Sequence, residues 1–437
     1  MCGPLHREDM RVFMARTETA STSQFSLRVL AQRDFGPFFV GNLLSNCGTW
    51  FQNIAQALLI YRLTHSTFLV GVVSFAQFAG IILLAPWSGG AADRFNRRRL
   101  IITTQLGAMV VTGALALLAV VHLDTVPVII GLALVLGLTT AFATPALQAI
   151  VPALVSRDDL GAAIAMNSVT FNMARAVGPV LGALIVARFG IPWAFGINCL
   201  SYAALICALL IVHPREQERR PNAPPKLRDS FDLIRQAPQL AALLGVVASV
   251  SFALDPVTTL APAFATQVFH HADTLAGYLI GAFGTGAVIA AVFATGRSET
   301  PYRRITIMLA LLAVGIASYA FLSPLVLAVI ALGVAGFGYL AGQTRATTLL
   351  QLGVEDHQRG RVMALWSVCF LGTRPLASLI DGSLASLVGI HATALIMTLP
   401  VFAAATGMLL LSVRQSRAAR AEVMEGSILG GSPASHD

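Results

Sequence analysis

Apolar positions run through this chain in long, nearly unbroken stretches. They lack the clean 3.6-residue or two-residue alternation of a half-solvated helix or strand. A membrane-spanning helix needs about 20 such residues. Twelve stretches meet that length, with short polar breaks between most of them: 36–61, 68–91, 100–121, 126–147, 162–187, 191–212, 239–265, 274–296, 305–322, 325–347, 362–387 and 391–413. The pattern predicts an all-α polytopic membrane protein with twelve transmembrane helices. One break is longer. Residues 213–238 are polar and carry Pro214, Pro221, Pro224 and Pro225, the composition of a linker. The chain therefore reads as an N-terminal segment 1–33, a six-helix bundle 34–212, a linker 213–238, a second six-helix bundle 239–413 and a tail 414–437.

Charge sets the orientation. Only 11% of residues are charged, against about 25% in soluble domains. Of 29 Lys and Arg, 24 fall in the two termini and the loops on one side. Arg62 and Arg188 stand alone on the other side, and Arg175, Arg345 and Arg374 lie inside spans. Positive charge gathers in the cytoplasm, so both termini are expected there. The net charge of +8 thus marks a membrane surface and not a nucleic-acid partner. Residues 1–33 hold no apolar core of a cleavable signal, so the first span directs insertion. The five cysteines are scattered, and no metal or disulfide spacing appears. No glycine-rich phosphate loop and no nucleophile–base arrangement stands out. The expectation is a protein that is not an enzyme and uses no cofactor or metal.

The two halves repeat. A shift of 206 residues brings Gly71 onto Gly277, Gly80 onto Gly286, Asp93 onto Glu299, Arg97 onto Arg303 and Arg98 onto Arg304. A shift of 199 brings Gly161, Ala165, Ser168, Phe171 and Arg175 onto Gly360, Ala364, Ser367, Phe370 and Arg374. Parallel six-span repeats place a binding site near the midplane between them.

Polar residues inside the spans are the candidate chemistry. In span 1, Asn42, Asn46, Thr49, Asn53 and Gln56 recur every three or four residues and share about 80° of one face. Such a stripe either forms a ladder of interhelical hydrogen bonds or lines a water-filled path, and five polar groups favour the path. Span 5 carries Asn172 and Arg175 on one face, and span 11 carries Arg374. A mid-membrane arginine needs water or a partner. The pair is therefore expected to clamp an anionic or hydrogen-bond-accepting substrate across a central cavity. Asp255 and Asp381 are the acids within spans, and both are candidates for carrying a proton. Asp255 precedes Pro256 and reads equally well as a hinge acid. Trp50, Phe51, Phe171, Trp366 and Phe370 suit a large amphipathic ligand.

Between spans 2 and 3 stands Gly89-Gly90-Ala91-Ala92-Asp93-Arg94-Phe95-Asn96-Arg97-Arg98-Arg99. Its G-x-x-x-D-R-x-x-R-R spacing resembles the signature loop of the major facilitator superfamily. Asn96 replaces the family's usual glycine, and Asn also tolerates a left-handed backbone. Gly178-Pro179-x-x-Gly182 in span 5 resembles the antiporter motif of exporters in that superfamily. Ala143-Thr144-Pro145, Val151-Pro152-Ala153-Leu154-Val155, Arg157-Asp158-Asp159-Leu160 and Ala165-Met166-Asn167-Ser168 resemble the enterobactin-exporter-like efflux branch. Leu147 stands where many relatives have arginine, so a proton-relay role would pass to Arg175 or Arg374.

The resemblance implies two pseudo-symmetric six-helix bundles that expose a central site alternately to each side. It implies export of a small amphipathic molecule (drug, siderophore or secondary metabolite) by proton antiport across a bacterial cytoplasmic membrane. The partners would be that substrate, protons and the bilayer, with the protein a monomer. Gly89, Gly90, Asp93, Arg94, Arg97 and Arg98 would form a cytoplasmic gate in which Asp93 ties spans 2 and 11. Two other readings remain. One is metabolite uptake by proton symport. The other is a non-transporting receptor or scaffold, which would have no need of charges inside the membrane.

Overall fold

The structure, a computed structural model, describes residues 27–156, 158–215, 238–293, 301–354 and 356–413. Their regular structure is helical throughout. We number the helices α1 Phe35–Thr64, α2 Thr67–Leu83, α3 Ala85–Arg94, α4 Arg97–Val120, α5 Val126–Leu154, α6 Leu160–Phe189 and α7 Ile191–Ile211. The second half gives α8 Pro238–Thr259, α9 Leu275–Phe293, α10 Pro301–Phe321, α11 Leu325–Leu352, α12 Asp356–Leu371, α13 Thr373–Val388 and α14 Ile390–Ile396. The α8 span runs on to Val268 and the α14 span to Val413.

Eight of these helices are long and apolar enough to cross a membrane. The other four of the twelve spans fall short for visible reasons. The α1 span carries the polar stripe, α2 and α9 are shorter apolar helices, and the eleventh span is split into α12 and α13. That split corrects the continuous helix expected over 362–387. It falls at Gly372, just before Pro375, which has no N–H to bond the Leu371 carbonyl. The second span also departs from expectation. It stops at Leu83 and restarts as α3 with a proline in its first turn. Gly89 and Gly90 therefore lie inside a helix, and the chain turns at Phe95 and Asn96. Asn96 is not left-handed. At φ −63° and ψ 115° it is the N-cap of α4, and its side chain accepts from the Arg99 N–H at 3.1 Å.

Within the first half, α1 packs on α6 and α7, α4 on α5 and α7, and α2 on α5. In the second half, α11 packs on α9 and α10, and α8 on α11, α12 and α13. Two long crossings join the halves: α2 against α13 and α6 against α9. Both rest on small residues that let backbones meet. Gly71 lies against the Ser378 carbonyl and Gly382, whose Cα would be 3.2 Å from an added Cβ. Gly277 lies against Ala183 and the Pro179 carbonyl, which a Cβ would meet at 2.6 Å. These are the same contact written twice, since the repeat shifts carry Gly71, Ser378 and Gly382 onto Gly277, Pro179 and Ala183. A second pair behaves alike. The Gln77 carbonyl covers Gly137 in the first half, and the Phe283 carbonyl covers Gly336 in the second.

The Arg62 end of the bundle and the Arg97 end are built differently. At the Arg97 end, the Arg98 guanidinium donates to the Leu209 and Leu210 carbonyls at 2.6 and 2.8 Å, closing the last turn of α7. Arg97 donates to the Ala149 carbonyl at 3.0 Å. Asp159 accepts from Gln32 at 2.7 Å and from Ser156 at 2.8 Å, and these bonds hold its carboxyl below the usual range. All of these bonds stay within the first half.

The glycine crossings yield a measurable consequence. Overpacking typically costs about 1–3 kcal/mol, and here the cost falls on the arrangement in which α6 and α9 touch. Gly277→Ala should therefore shift the population toward an arrangement open at the Arg62 end by roughly 5–150-fold. Spin labels on Ser66→Cys and Ala272→Cys in a cysteine-free background would report it as growth of a longer distance. An unchanged distribution would show that the crossing tolerates a side chain.

Candidate functional site

A cavity of about 50 Å³ lies where the halves meet. Six spans line it: Trp50, Asn53 and Gln56 from α1; Ser74, Gln77 and Phe78 from α2; Pro179 from α6; Asp255 and Thr258 from α8; Ile280 from α9; Arg374 from α13. That volume admits only a few waters, whereas drug-sized ligands need about 300–1,000 Å³. The described arrangement thus has no room for such a ligand, which would fit only if helices move apart.

The break in span 11 positions the cation. Arg374 is the second residue of α13 and is 7% exposed. Its guanidinium sits 4.7 Å over the Phe78 ring. Asp255 is its electrostatic partner, and Arg175 and Tyr339 are the other ionisable groups that act on it. Arg374 and Asp255 do not close a salt bridge, and Arg374 Nε has no partner. Asp255 is 3% exposed, and one of its carboxylate oxygens is likewise unbonded. A charged pair held apart at a cavity wall leaves both members able to bind a third group.

Arg175 behaves otherwise. It is buried but does not line the cavity, which corrects the expectation of two arginines facing each other across open space. Its Nη1 donates to the Tyr339 hydroxyl at 2.5 Å. Its guanidinium lies 4.3 Å over the Tyr339 ring and 5.9 Å from the Trp50 ring. Aromatic faces and a phenol oxygen therefore stand where an anion was expected. Because Arg175 is on α6 and Tyr339 on α11, this contact joins the halves at mid-membrane. Its Nη2 remains unpartnered.

The polar stripe of α1 divides. Asn53 and Gln56 line the cavity, and Asn53 accepts from Gln77 at 2.8 Å. Asn42 instead donates to Asn167 of α6 at 3.0 Å, and Asn46 bonds back to Asn42. Those two form the ladder. The side chain of Asn172 lies outside the described residues, as does that of Asp93, while Arg94 is exposed. Gly178 and Gly182 face α1, where added Cβ atoms would come within 2.5 Å of Trp50 Cβ and 2.6 Å of an Ile54 methyl. The antiporter-like motif therefore seats α6 on α1 while Pro179 reaches the cavity.

Two clusters escaped the sequence reading. Gln52 Oε1 accepts from Thr112 at 2.9 Å and from Asn198 at 2.6 Å, which pins α1 to α4 and α7. Gln52 lies off the stripe that periodicity picked out. At the Arg62 end the Tyr61 hydroxyl bonds Thr266 and accepts from Gln267, both at 3.0 Å. Beside it Arg62 pairs with Asp273 at 2.5 and 2.9 Å. Thr266 and Gln267 belong to a π-helical turn, Phe264–Val268, a feature frequent at functional sites. The signal was present in Arg62, an isolated arginine on the charge-poor face.

A family model for transmembrane secretion effectors matches residues 24–427. The staphyloferrin A transporter of Staphylococcus aureus is 26% identical over 372 residues, 82% of this chain and 91% of that protein. The enterobactin exporter EntS of Salmonella typhimurium is 26% identical over 343 residues, 76% of this chain and 81% of that one. Among solved structures, a bacterial homolog of the human lysosomal transporter Spinster, inward-facing and unoccupied, aligns with a TM-score of 0.68. It is 13% identical and covers 90% of this chain and 98% of its own. The nucleoside transporter NupG also gives 0.68, at 11% identity over 86% and 99%. At such identities the structures establish a shared fold.

The Arg62-end contacts should rank by burial. Tyr61→Phe removes two hydrogen bonds worth about 1 kcal/mol each. Asp273→Asn breaks a part-exposed ion pair worth at most about 1 kcal/mol. Distances between labels on Ser66→Cys and Ala272→Cys should lengthen more with Tyr61→Phe than with Asp273→Asn. The reverse order would make the ion pair the main fastening.

Proposed function

We propose, for a chain that belongs to the transmembrane secretion effector family of the major facilitator superfamily, that it exports a small amphipathic molecule across a bacterial cytoplasmic membrane in exchange for protons. The family is one of multi-pass membrane transporters, not enzymes. With both termini cytoplasmic, the Arg62 end faces outward, and the described arrangement is closed to the outside. Rocking of the halves about the paired glycine crossings opens each end in turn. Asp93, Gly89, Gly90, Arg94, Arg97 and Arg98 are proposed to fasten the cytoplasmic end in the opposite state. The working unit is proposed to be a monomer.

The observation that carries this reading is the separated Arg374–Asp255 pair on the cavity wall. Arg374 offers a planar donor to an acceptor or anion. That contact alone would favour proton uptake with the substrate, since it strips Asp255 of its counter-charge. Exchange requires the opposite sign of linkage, in which a substrate group competes with the proton for the carboxylates. The substrate is therefore polyfunctional, with an acceptor for Arg374 and a hydrogen-bond donor or cation for Asp255. Siderophores fit that description, and the likeness to a staphyloferrin A transporter and an enterobactin exporter supports the class. Trp50 and Phe78 supply apolar faces for the rest of the molecule.

A bacterial strain stripped of its own siderophore exporters tests the proposal. Cells carrying this chain should release a carboxylate or catecholate siderophore that control cells retain, and a protonophore should stop the release. Arg374→Gln should weaken half-saturation by about 10–150-fold, the worth of a hydrogen bond to a charged group, with Arg374→Lys intermediate. Retention of both siderophore types by expressing cells would contradict the substrate class. Release unaffected by protonophore would contradict the coupling.

A further inference from the structure

A second carboxylate lies behind the cavity. Asp381, on α13, is wholly buried, and neither of its oxygens makes a hydrogen bond of ordinary geometry. Asp255 lines the cavity and Asp381 does not. Arg374 acts electrostatically on Asp255, and Asp255 acts on Asp381. The Thr259 hydroxyl lies close to both carboxylates. The remaining helices packed on α13 add little charge. The α2 helix holds no titratable residue, and α12 keeps its charged residues at the far end with only Cys369 nearby. From the α14 span comes His391, whose ring already bonds the Ala320 carbonyl. Around Arg374 stand Arg175 and Tyr339.

Two guanidinium and two carboxyl groups thus share a buried, low-dielectric place, and Arg175 gives its donor to Tyr339 and not to a carboxylate. Ionised, Asp381 would hold a charge there with no hydrogen bond to either oxygen, which is costly. A single proton removes that cost. On Asp255 the proton would deprive Arg374 of its carboxylate neighbour and leave Asp381 ionised with no partner at all. On Asp381 it leaves Arg374 and Asp255 as a neutral pair and removes the unpartnered charge. We infer that Asp381 carries the proton that drives the transporter, and that Asp255 is the counter-ion of Arg374 in the substrate-free state, standing between that proton and the cavity. This rests on the proton-coupled reading above and names its carrier.

A route opens when the helices shift enough for the Thr259 hydroxyl to bond Asp381, whose oxygens are both unbonded in the described arrangement. Thr259 ends α8, and Asp381 is eight residues into α13, so both lie on the Arg62 side of Arg374. A hydroxyl both donates and accepts. Thr259 can take the Asp381 proton while giving its own to Asp255. The Asp381 acid becomes a carboxylate as the Asp255 carboxylate becomes an acid, and no other bond changes. The substrate's donor group meets Asp255 only in the state where that proton has left.

Infrared spectroscopy of the purified, substrate-free full-length protein tests the assignment by following the protonated-carboxyl stretch against pH. Wild type should show one buried protonated carboxyl near neutral pH. Asp381→Asn should lose it and melt close to wild type, since it exchanges one neutral, unbonded polar side chain for another of similar size, and Asp381→Leu should lose it as well. Arg374→Gln should show two, because Asp255 then loses the charge that keeps it ionised. A band that survives in both Asp381 variants, or an Arg374→Gln protein with an unchanged band, would overturn the assignment. So would a wild-type band abolished when Na⁺ replaces K⁺, which would make the pair a sodium site. The band is read without substrate, so failure of export in cells leaves this result standing, and the reverse holds too.

Discussion

Charge inside hydrocarbon must find a partner, and this structure is arranged around how little partnering it provides. Two arginines and two aspartates lie buried between the halves. Arg175 is covered by the Tyr339 ring, lies near the Trp50 ring and bonds the Tyr339 hydroxyl, with one nitrogen left unpartnered. Arg374 and Asp255 neutralise one another across a gap, and both keep unbonded atoms. A structural ion pair would have closed, because a closed bond recovers more of the desolvation cost than a separated pair does. The open pair is the reason the cavity wall reads as a binding surface.

The proposed rocking of the halves as two bodies is favoured by contacts of two kinds. Inside each half, long helices interlock along much of their length. Between halves, contact concentrates at two glycine-based crossings related by the internal repeat, α2 on α13 and α6 on α9. Backbone resting on backbone leaves few side chains to repack when the angle changes. Polar fastenings sit at mid-membrane through Arg175–Tyr339 and at the Arg62 end through Tyr61, Thr266, Gln267 and the Arg62–Asp273 pair. Each is worth about a kilocalorie, the range in which a ligand can shift a two-state equilibrium.

Much of this was legible in the sequence, for identifiable reasons. Span count follows from apolar run length, which the bilayer fixes. The glycine crossings were implicit in the alignment of Gly71 with Gly277, since a repeat that preserves glycine preserves a close approach. Asn53, Gln56, Arg374 and Asp255 were found because a polar residue in a span needs an explanation. The stripe failed for Asn42 and Asn46 because one helical face continues past the end of a cavity. Arg175 misled because a sequence cannot show that an aromatic ring on another helix will cover a cation. The Arg62–Asp273 pair spans 211 residues and has no periodic signature. Asn96 was read through backbone permissiveness when its side chain was needed to cap a helix.

The central claim is that protons and an outgoing polyfunctional substrate exchange through one buried charge cluster. Proteoliposomes holding the purified protein, a pH-sensitive dye and a transported siderophore test it most directly. With the outside made acidic, the account predicts siderophore release together with proton entry, and loss of both in Asp381→Asn with substrate binding retained. Siderophore release with no proton entry in wild type, or coupled release persisting in Asp381→Asn, would contradict it.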